Sequence, residues 1–176
     1  MKLPEPFSEE KGHLNAIIET PKGSRNKYAF DPATGLFKLS KAFPAGMFFP
    51  IDFGFIPGTL AEDGDPLDVL VFMEEPAYPG CLVECRVLGI IEAEQGKEGD
   101  MIRNDRVLAA AIESRIYGDL KTTEDIGEDL LNDIIDFFKT YHKKNEEKFS
   151  VLKIAESEKA IKLIRKQSGY EKHRIE

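Results

Sequence analysis

The sequence predicts an α+β fold: a small closed antiparallel β-barrel of the OB-like kind, with two C-terminal helices packed outside. Two observations predict it. Short apolar runs, broken by clusters of glycine, proline and aspartate, occupy the chain as far as Glu113, and beyond that point the apolar spacing becomes helical. Strands first and helices afterwards is the order of an α+β domain. With 176 residues, 41% apolar content and no internal repeat, residues 1–176 are read as a single domain with its own core.

Residues Leu14 to Glu19 and Asn26 to Asp31 read as strands, separated by Thr20-Pro21-Lys22-Gly23-Ser24. A third strand, Leu36 to Leu39, follows the hairpin connector Asp31-Pro32-Ala33-Thr34-Gly35. The run Phe48-Phe49-Pro50-Ile51-Asp52-Phe53-Gly54-Phe55 is a phenylalanine-rich strand entering the turn Ile56-Pro57-Gly58. Leu67 to Met73, Cys81 to Ala93 and Val107 to Ile112 supply further strands, the second long enough to bend or bulge. Glu94 to Asp105 is charged and dotted with glycine, and reads as a loop.

After Glu113, Leu130, Leu131, Ile134, Ile135, Phe138 and Tyr141 share one helical face, with Asp129, Asp133, Asp136 and Lys139 towards solvent. A second helix is expected from Ser157 to Gln167, with Ala160, Ile161 and Ile164 inward and Ser168-Gly169 as its stop. Tyr170 to Glu176 are expected to fray.

The totals exclude several functions. A formal charge of −8 disfavours a nucleic-acid partner, because such binding rests on neutralising phosphates with Lys and Arg. No apolar stretch is long enough to span a membrane, and Met1-Lys2-Leu3-Pro4-Glu5-Pro6 lacks a secretory core, so a cytoplasmic protein without membrane partners is expected. Cys81 and Cys85 fall in one predicted strand, where four residues span roughly 13 Å, too far for a disulfide. With no histidine nearby for a zinc set, both are read as reduced core thiols.

The chemistry concentrates in Asp63-Gly64-Asp65-Pro66-Leu67-Asp68-Val69, where three carboxylates lie on a proline-stiffened turn at the mouth of a strand. At an effective dielectric near 20, two carboxylates ~5 Å apart repel by about 3 kcal/mol. Such a group needs a cation, a proton or ample water, and an oxygen-only ligand set suits a hard dication such as Mg²⁺. The preceding phenylalanines can wall such a site and exclude water. Lys27, Lys41, Arg103 and Arg106 are candidate phosphate ligands beside a metal, Arg as a fork and Lys as a point charge. Glu19 ends an apolar strand and either caps the sheet edge or points into a barrel mouth. His13, His142 and His173 show no ligand spacing, and neither a nucleophile–base pair nor a glycine-rich phosphate loop is present, so covalent catalysis is not expected.

From about Asn15 to His142 the chain resembles the soluble inorganic pyrophosphatases of the barrel-fold, magnesium-dependent type (family I). The aspartate segment from Asp63 to Val69 carries the resemblance, supported by Ile18-Glu19, Lys27-Tyr28, the Phe-Pro-x-Asp-Phe-Gly-Phe-Ile run, and Phe137-Phe138 with Tyr141. The resemblance implies hydrolysis of pyrophosphate to two phosphates by a metal-activated water, with Mg²⁺ as cofactor. It implies Asp63 and Asp68 as metal ligands, supported by Glu19, and Asp65 as the residue that orients or deprotonates water. It implies Lys27, Lys41, Arg106 and Tyr141 on phosphate oxygens. It also implies a homo-oligomer, a hexamer if the source is bacterial.

The chain departs from the family pattern at several positions. Phe49, Phe53 and Phe55 stand where tyrosines are usual, Ala29 where an acid is common, Lys41 where arginine is, and His142 where lysine often follows the tyrosine. Asn104-Asp105-Arg106 replaces an Asp-x-Lys pattern, so the expected carboxylate is a neutral Asn104; Glu94, Asp100 or Asp105 are the candidates to compensate, and Asp105 is taken as the metal ligand. These changes define the alternative function, a catalytically weak metal- or phosphate-binding paralogue on the same scaffold.

Overall fold

A computed structural model describes residues 3–168. Its strands are β1 Leu14–Thr20, β2 Asn26–Asp31, β3 Leu36–Ala42, β4 Asp52–Phe55, β5 Asp68–Phe72, β6 Leu82–Lys97, β7 Asp100–Arg103, β8 Arg106–Ala111 and β9 Lys148–Glu156. The helices are α1 Glu128–Lys144 and α2 Ser157–Ser168, with a short 3₁₀ turn at Glu124–Ile126 before α1.

The main sheet runs β1-β4-β5-β8-β6 and closes into a barrel where β6 pairs back onto β1. All pairings around the ring are antiparallel except β5 with β8, where Asp68 lies opposite Arg106. Closure brings backbones very close at Gly54, where an added Cβ would lie 2.0 Å from the Ile17 carbonyl oxygen. The β2–β3 hairpin forms a separate ribbon.

Alternating residues feed two cores. Val69 and Val71 of β5, with Val107 and Ala109 of β8, join Ala160 and Ile164 of α2. Leu70, Phe72, Leu108 and Ala110 face the other way and join Leu131, Ile134 and Phe138 of α1. Fully burying each large aliphatic side chain contributes about 1.5–3 kcal/mol, so these faces account for the helices docking where they do. Acidic Glu128 and Asp129 in the first turn of α1, and Lys143 and Lys144 in its last, complement the helix dipole.

The structure corrects the sequence reading in four places. Glu94 to Asp105 is not a loop: β6 continues to Lys97, and β7 returns on it with Glu94 opposite Arg103. Charge on both faces of that hairpin removes the alternation by which strands are recognised. β9, which pairs along β6, carries a similarly mixed pattern and was not expected. The third strand extends beyond Leu39 to Ala42. Cys85 is a buried thiol as expected, whereas Cys81 precedes β6 and is exposed. The long strand does shift register, between Val87 and Gly89 against β8 and between Glu92 and Ala93 against β9. Leu130 and Tyr141 of α1, and Ile161 of α2, are partly rather than fully buried. The Gly169 stop and the Tyr170 to Glu176 ending lie outside the described residues.

Candidate active site

One mouth of the barrel holds a cavity of about 500 Å³, lined by Glu19, Asp63, Asp65 and Asp68 on its acidic side. The turn that presents the aspartates is built locally. Gly64, at φ +90°, reverses the chain between Asp63 and Asp65, and its N–H donates to the Ala61 carbonyl at 3.2 Å. Asp63 Oδ1 accepts the Asp65 N–H at 3.1 Å, and Asp65 returns its carbonyl to the Ala61 N–H at 2.7 Å. Pro66 then leads into β5, whose first residue is Asp68.

Burial and mutual repulsion act on these acids together. Burial pushes Glu19 up to about 7, with the Phe30 N–H (2.6 Å from Oε1) pulling against it and Asp68 adding to it. Burial likewise pushes Asp68 up to about 6 against the pull of Arg106 and Lys27. Asp63 is raised in the same sense, by burial first and with Asp65 contributing.

Cations close the other side. Arg106, the first residue of β8 and only 3% exposed, donates through Nη1 to the Asn104 carbonyl and through Nη2 to Gln95 Oε1, each at 3.0 Å. Its guanidinium lies over the rings of Phe138 and Phe149, 4.3 and 4.7 Å from their centroids. Lys27 and Lys41 flank the Tyr141 ring at 5.6 and 5.2 Å, and Lys41 Nζ also donates to Asn145 Oδ1 at 2.7 Å. Phe49, Phe53 and Phe55 form the apolar wall.

The oxygen-rich acidic side fits a hard dication. Among the described residues, no three His, Cys, Asp or Glu side chains converge into a ready cage. The acids surround a cavity instead, which suits a cation that keeps part of its water shell and binds through one or two carboxylates together with substrate phosphate.

The family profile described as inorganic pyrophosphatase matches residues 16–171. The chain belongs to the inorganic pyrophosphatase family. The inorganic pyrophosphatase of Halalkalibacterium halodurans is 39% identical over 151 residues, covering 86% of this chain and 90% of that protein. That of Synechocystis is 39% identical over 143 residues, 81% of each chain. Among solved structures, the inorganic pyrophosphatase from Thermus thermophilus superposes with a TM-score of 0.85 at 34% identity over 97% of both chains.

In this pyrophosphatase family member, Glu19, Lys27, Lys41, Asp63, Asp65, Asp68, Arg106 and Tyr141 all line the one cavity, so Glu19 points into the barrel mouth rather than capping an edge. Asp105 does not line it. Its Oδ1 accepts the Ala93 N–H at 3.0 Å and the Arg103 Nε–H at 2.5 Å, which commits the carboxylate to the β6–β7 hairpin. Arg103 is engaged there too, donating to Glu92 Oε1 at 2.7 Å, and Glu94 and Asp100 are likewise absent from the cavity. Asn104 takes the inward position and donates from Nδ2 to Asp63 Oδ2 at 2.9 Å. Sequence reasoning missed Gln95, Asn145 and Glu147 in the wall. Only the register of β6 and the turn after α1 place them there, and neither carries a local signature.

Proposed function

We propose that this chain hydrolyses inorganic pyrophosphate to two phosphates, with Mg²⁺ held by Asp63 and Asp68 and supported by Glu19. The convergence of those acids with Arg106, Lys27, Lys41 and Tyr141 on one cavity carries the reading. When bound, the dication supplies charge against phosphoryl oxygens and lowers the pKa of a water it holds.

The remaining work falls to the protein. Asp65 is the most exposed of the three aspartates in the turn, free to accept a proton from the attacking water. Water oxygen adds to one phosphorus as the bridging P–O bond breaks, and the departing phosphate keeps that electron pair. Charge spreads over the phosphoryl oxygens during transfer, so Arg106, Lys27 and Lys41, fixed beforehand, stabilise the transition state without reorganising. The phenylalanine wall lowers the local dielectric and strengthens each of these interactions. Asp105 has no part, because its carboxylate is already bonded to Ala93 and Arg103.

Phosphate release from pyrophosphate, measured with and without Mg²⁺, tests the proposal: turnover that requires the cation is expected. The phenylalanines without hydroxyls and the amide of Asn104 favour one rival, a weak binding paralogue. Calorimetry separates the two, since tight pyrophosphate binding with no turnover across a metal series would establish the rival.

A further inference from the structure

The Arg106 guanidinium is held in the cavity wall by few partners. Nη1 donates to the Asn104 carbonyl and Nη2 to Gln95 Oε1, while Nε is buried with no hydrogen-bond partner. Asp68 Oδ2, 3.7 Å from Nη2, stands beyond hydrogen-bond reach. The rings of Phe138 and Phe149 cover the guanidinium but offer it no acceptor in its own plane. Among the described residues, Gln95 is thus the one side chain that hydrogen-bonds the fork. Alternation along β6 puts Ile91, Ala93 and Gln95 on one face: the first two join the core with Phe138 and Phe149, and Gln95 emerges into the cavity wall. Gln95 pairs with Phe149 across to β9, so a single cross-strand pair supplies Arg106 with both a ring and an acceptor. The Asn104 N–H donates to the Ala93 carbonyl at 2.9 Å, which fixes the start of β8 beside the same stretch of β6.

The charge of that acceptor matters. A carboxylate in place of the amide oxygen would pair with the fork, cancel its charge and repel an incoming anion. An amide oxygen accepts the same N–H in the same geometry and brings no counter-charge. We propose that Gln95 is a positioning residue for the phosphoryl group: as a neutral acceptor it fixes the Arg106 fork while leaving the guanidinium charge to the substrate. Gln95 acts through Arg106, and no bond to it forms or breaks in the reaction. The inference rests on the pyrophosphatase reading of the cavity and adds to it the residue that keeps its most buried cation both fixed and unneutralised.

The test compares wild type, Gln95→Ala and Gln95→Glu at about pH 8, where a carboxylate is ionised. Guanidinium nitrogen NMR of the unliganded protein reads the fork directly, with Arg106→Lys identifying its signals. Wild type and Gln95→Glu should show separate Nη signals from hindered rotation, and these should merge in Gln95→Ala. In pyrophosphate turnover with Mg²⁺, Gln95→Ala should lose about tenfold in kcat/KM, the worth of one hydrogen bond to a charged group. Most of that loss should fall on kcat, because Arg106 meets charge that develops during transfer. Gln95→Glu should lose at least as much although its fork stays ordered, an outcome that a merely structural role does not give. Should Gln95→Ala fail to fold, Gln95→Met keeps the volume and removes the amide. Unchanged Arg106 signals or unchanged kcat/KM in Gln95→Ala, or wild-type kcat/KM in Gln95→Glu, overturns the role of Gln95 while leaving pyrophosphate hydrolysis standing. If no variant turns over, calorimetric affinity for inorganic phosphate ranks the same three proteins. Wild type tightest then supports Gln95 and overturns the hydrolase reading, and equal affinities overturn both.

Discussion

Asp68 and Arg106 stand opposite one another in the parallel pairing of β5 with β8, and Arg106 Nη2 lies 3.7 Å from Asp68 Oδ2. The acid and the cation are thus set by one strand register, at the seam between the acidic side of the cavity and its aromatic wall. Each holds the other in a charged state that burial opposes.

That seam separates two neighbouring aspartates. Asp68→Asn removes a proposed ligand of the dication and the counter-charge from Arg106, so both the Mg²⁺-induced rise in melting temperature and turnover should be lost. Asp65→Asn should keep most of the Mg²⁺ thermal shift while kcat falls by about 10²–10⁴-fold, the usual contribution of a positioned base. Equal behaviour of the two variants would contradict the roles assigned.

Arg106→Lys keeps the charge but cannot reach both Gln95 Oε1 and the Asn104 carbonyl in the fork geometry seen. A drop in kcat/KM of about 10²–10³-fold is expected, as for loss of one transition-state donor. Leaving a buried acceptor unpaired adds a loss of about 1–3 kcal/mol in unfolding free energy. Steady-state kinetics and urea denaturation read the two effects separately.

Asn104→Asp replaces the donor on Asp63 Oδ2 with another carboxylate. Without metal the repulsion should lower the melting temperature; with Mg²⁺ the extra ligand should raise it by more than in wild type. An unchanged difference between Mg²⁺ and chelator would show that Asn104 does not face the cation.

Asp52 is fully buried at the start of β4, with Oδ1 accepting the Ala77 N–H at 3.0 Å and Oδ2 unpartnered. Burial raises it from 3.8 to about 6. The folded state therefore holds this proton more tightly than the unfolded chain does. Its stabilising contribution is complete below 3.8 and is lost as pH rises through about 6. Melting temperatures in saturating Mg²⁺, the proposed ligand of Glu19 and Asp68, should fall across that window, and Asp52→Asn should flatten the slope.

How much of this was legible depends on how local each feature is. The Asp63 to Asp68 turn is specified by Gly64 and Pro66 within its own few residues, so it could be read directly. The face of α1 from Leu131 to Phe138 follows from helical spacing alone. By contrast, the choice between Asn104 and Asp105 is a matter of register, and a shift of one residue would exchange the faces they occupy. Local sequence does not distinguish them; the pairing of β8 with β6 and β5 does.

The sequence by itself determined the α+β class, the acidic turn and most of the cavity's charged residues, because turn chemistry and apolar period act between near neighbours. Only the tertiary structure decided that Asn104 rather than Asp105 meets Asp63, that Gln95 steadies Arg106, and that Glu147 turns back onto His142. The first two join residues distant in sequence, whose partners are set by how the strands pair around the barrel, and the third depends on the left-handed turn at Glu146 after α1, which no local signature announces.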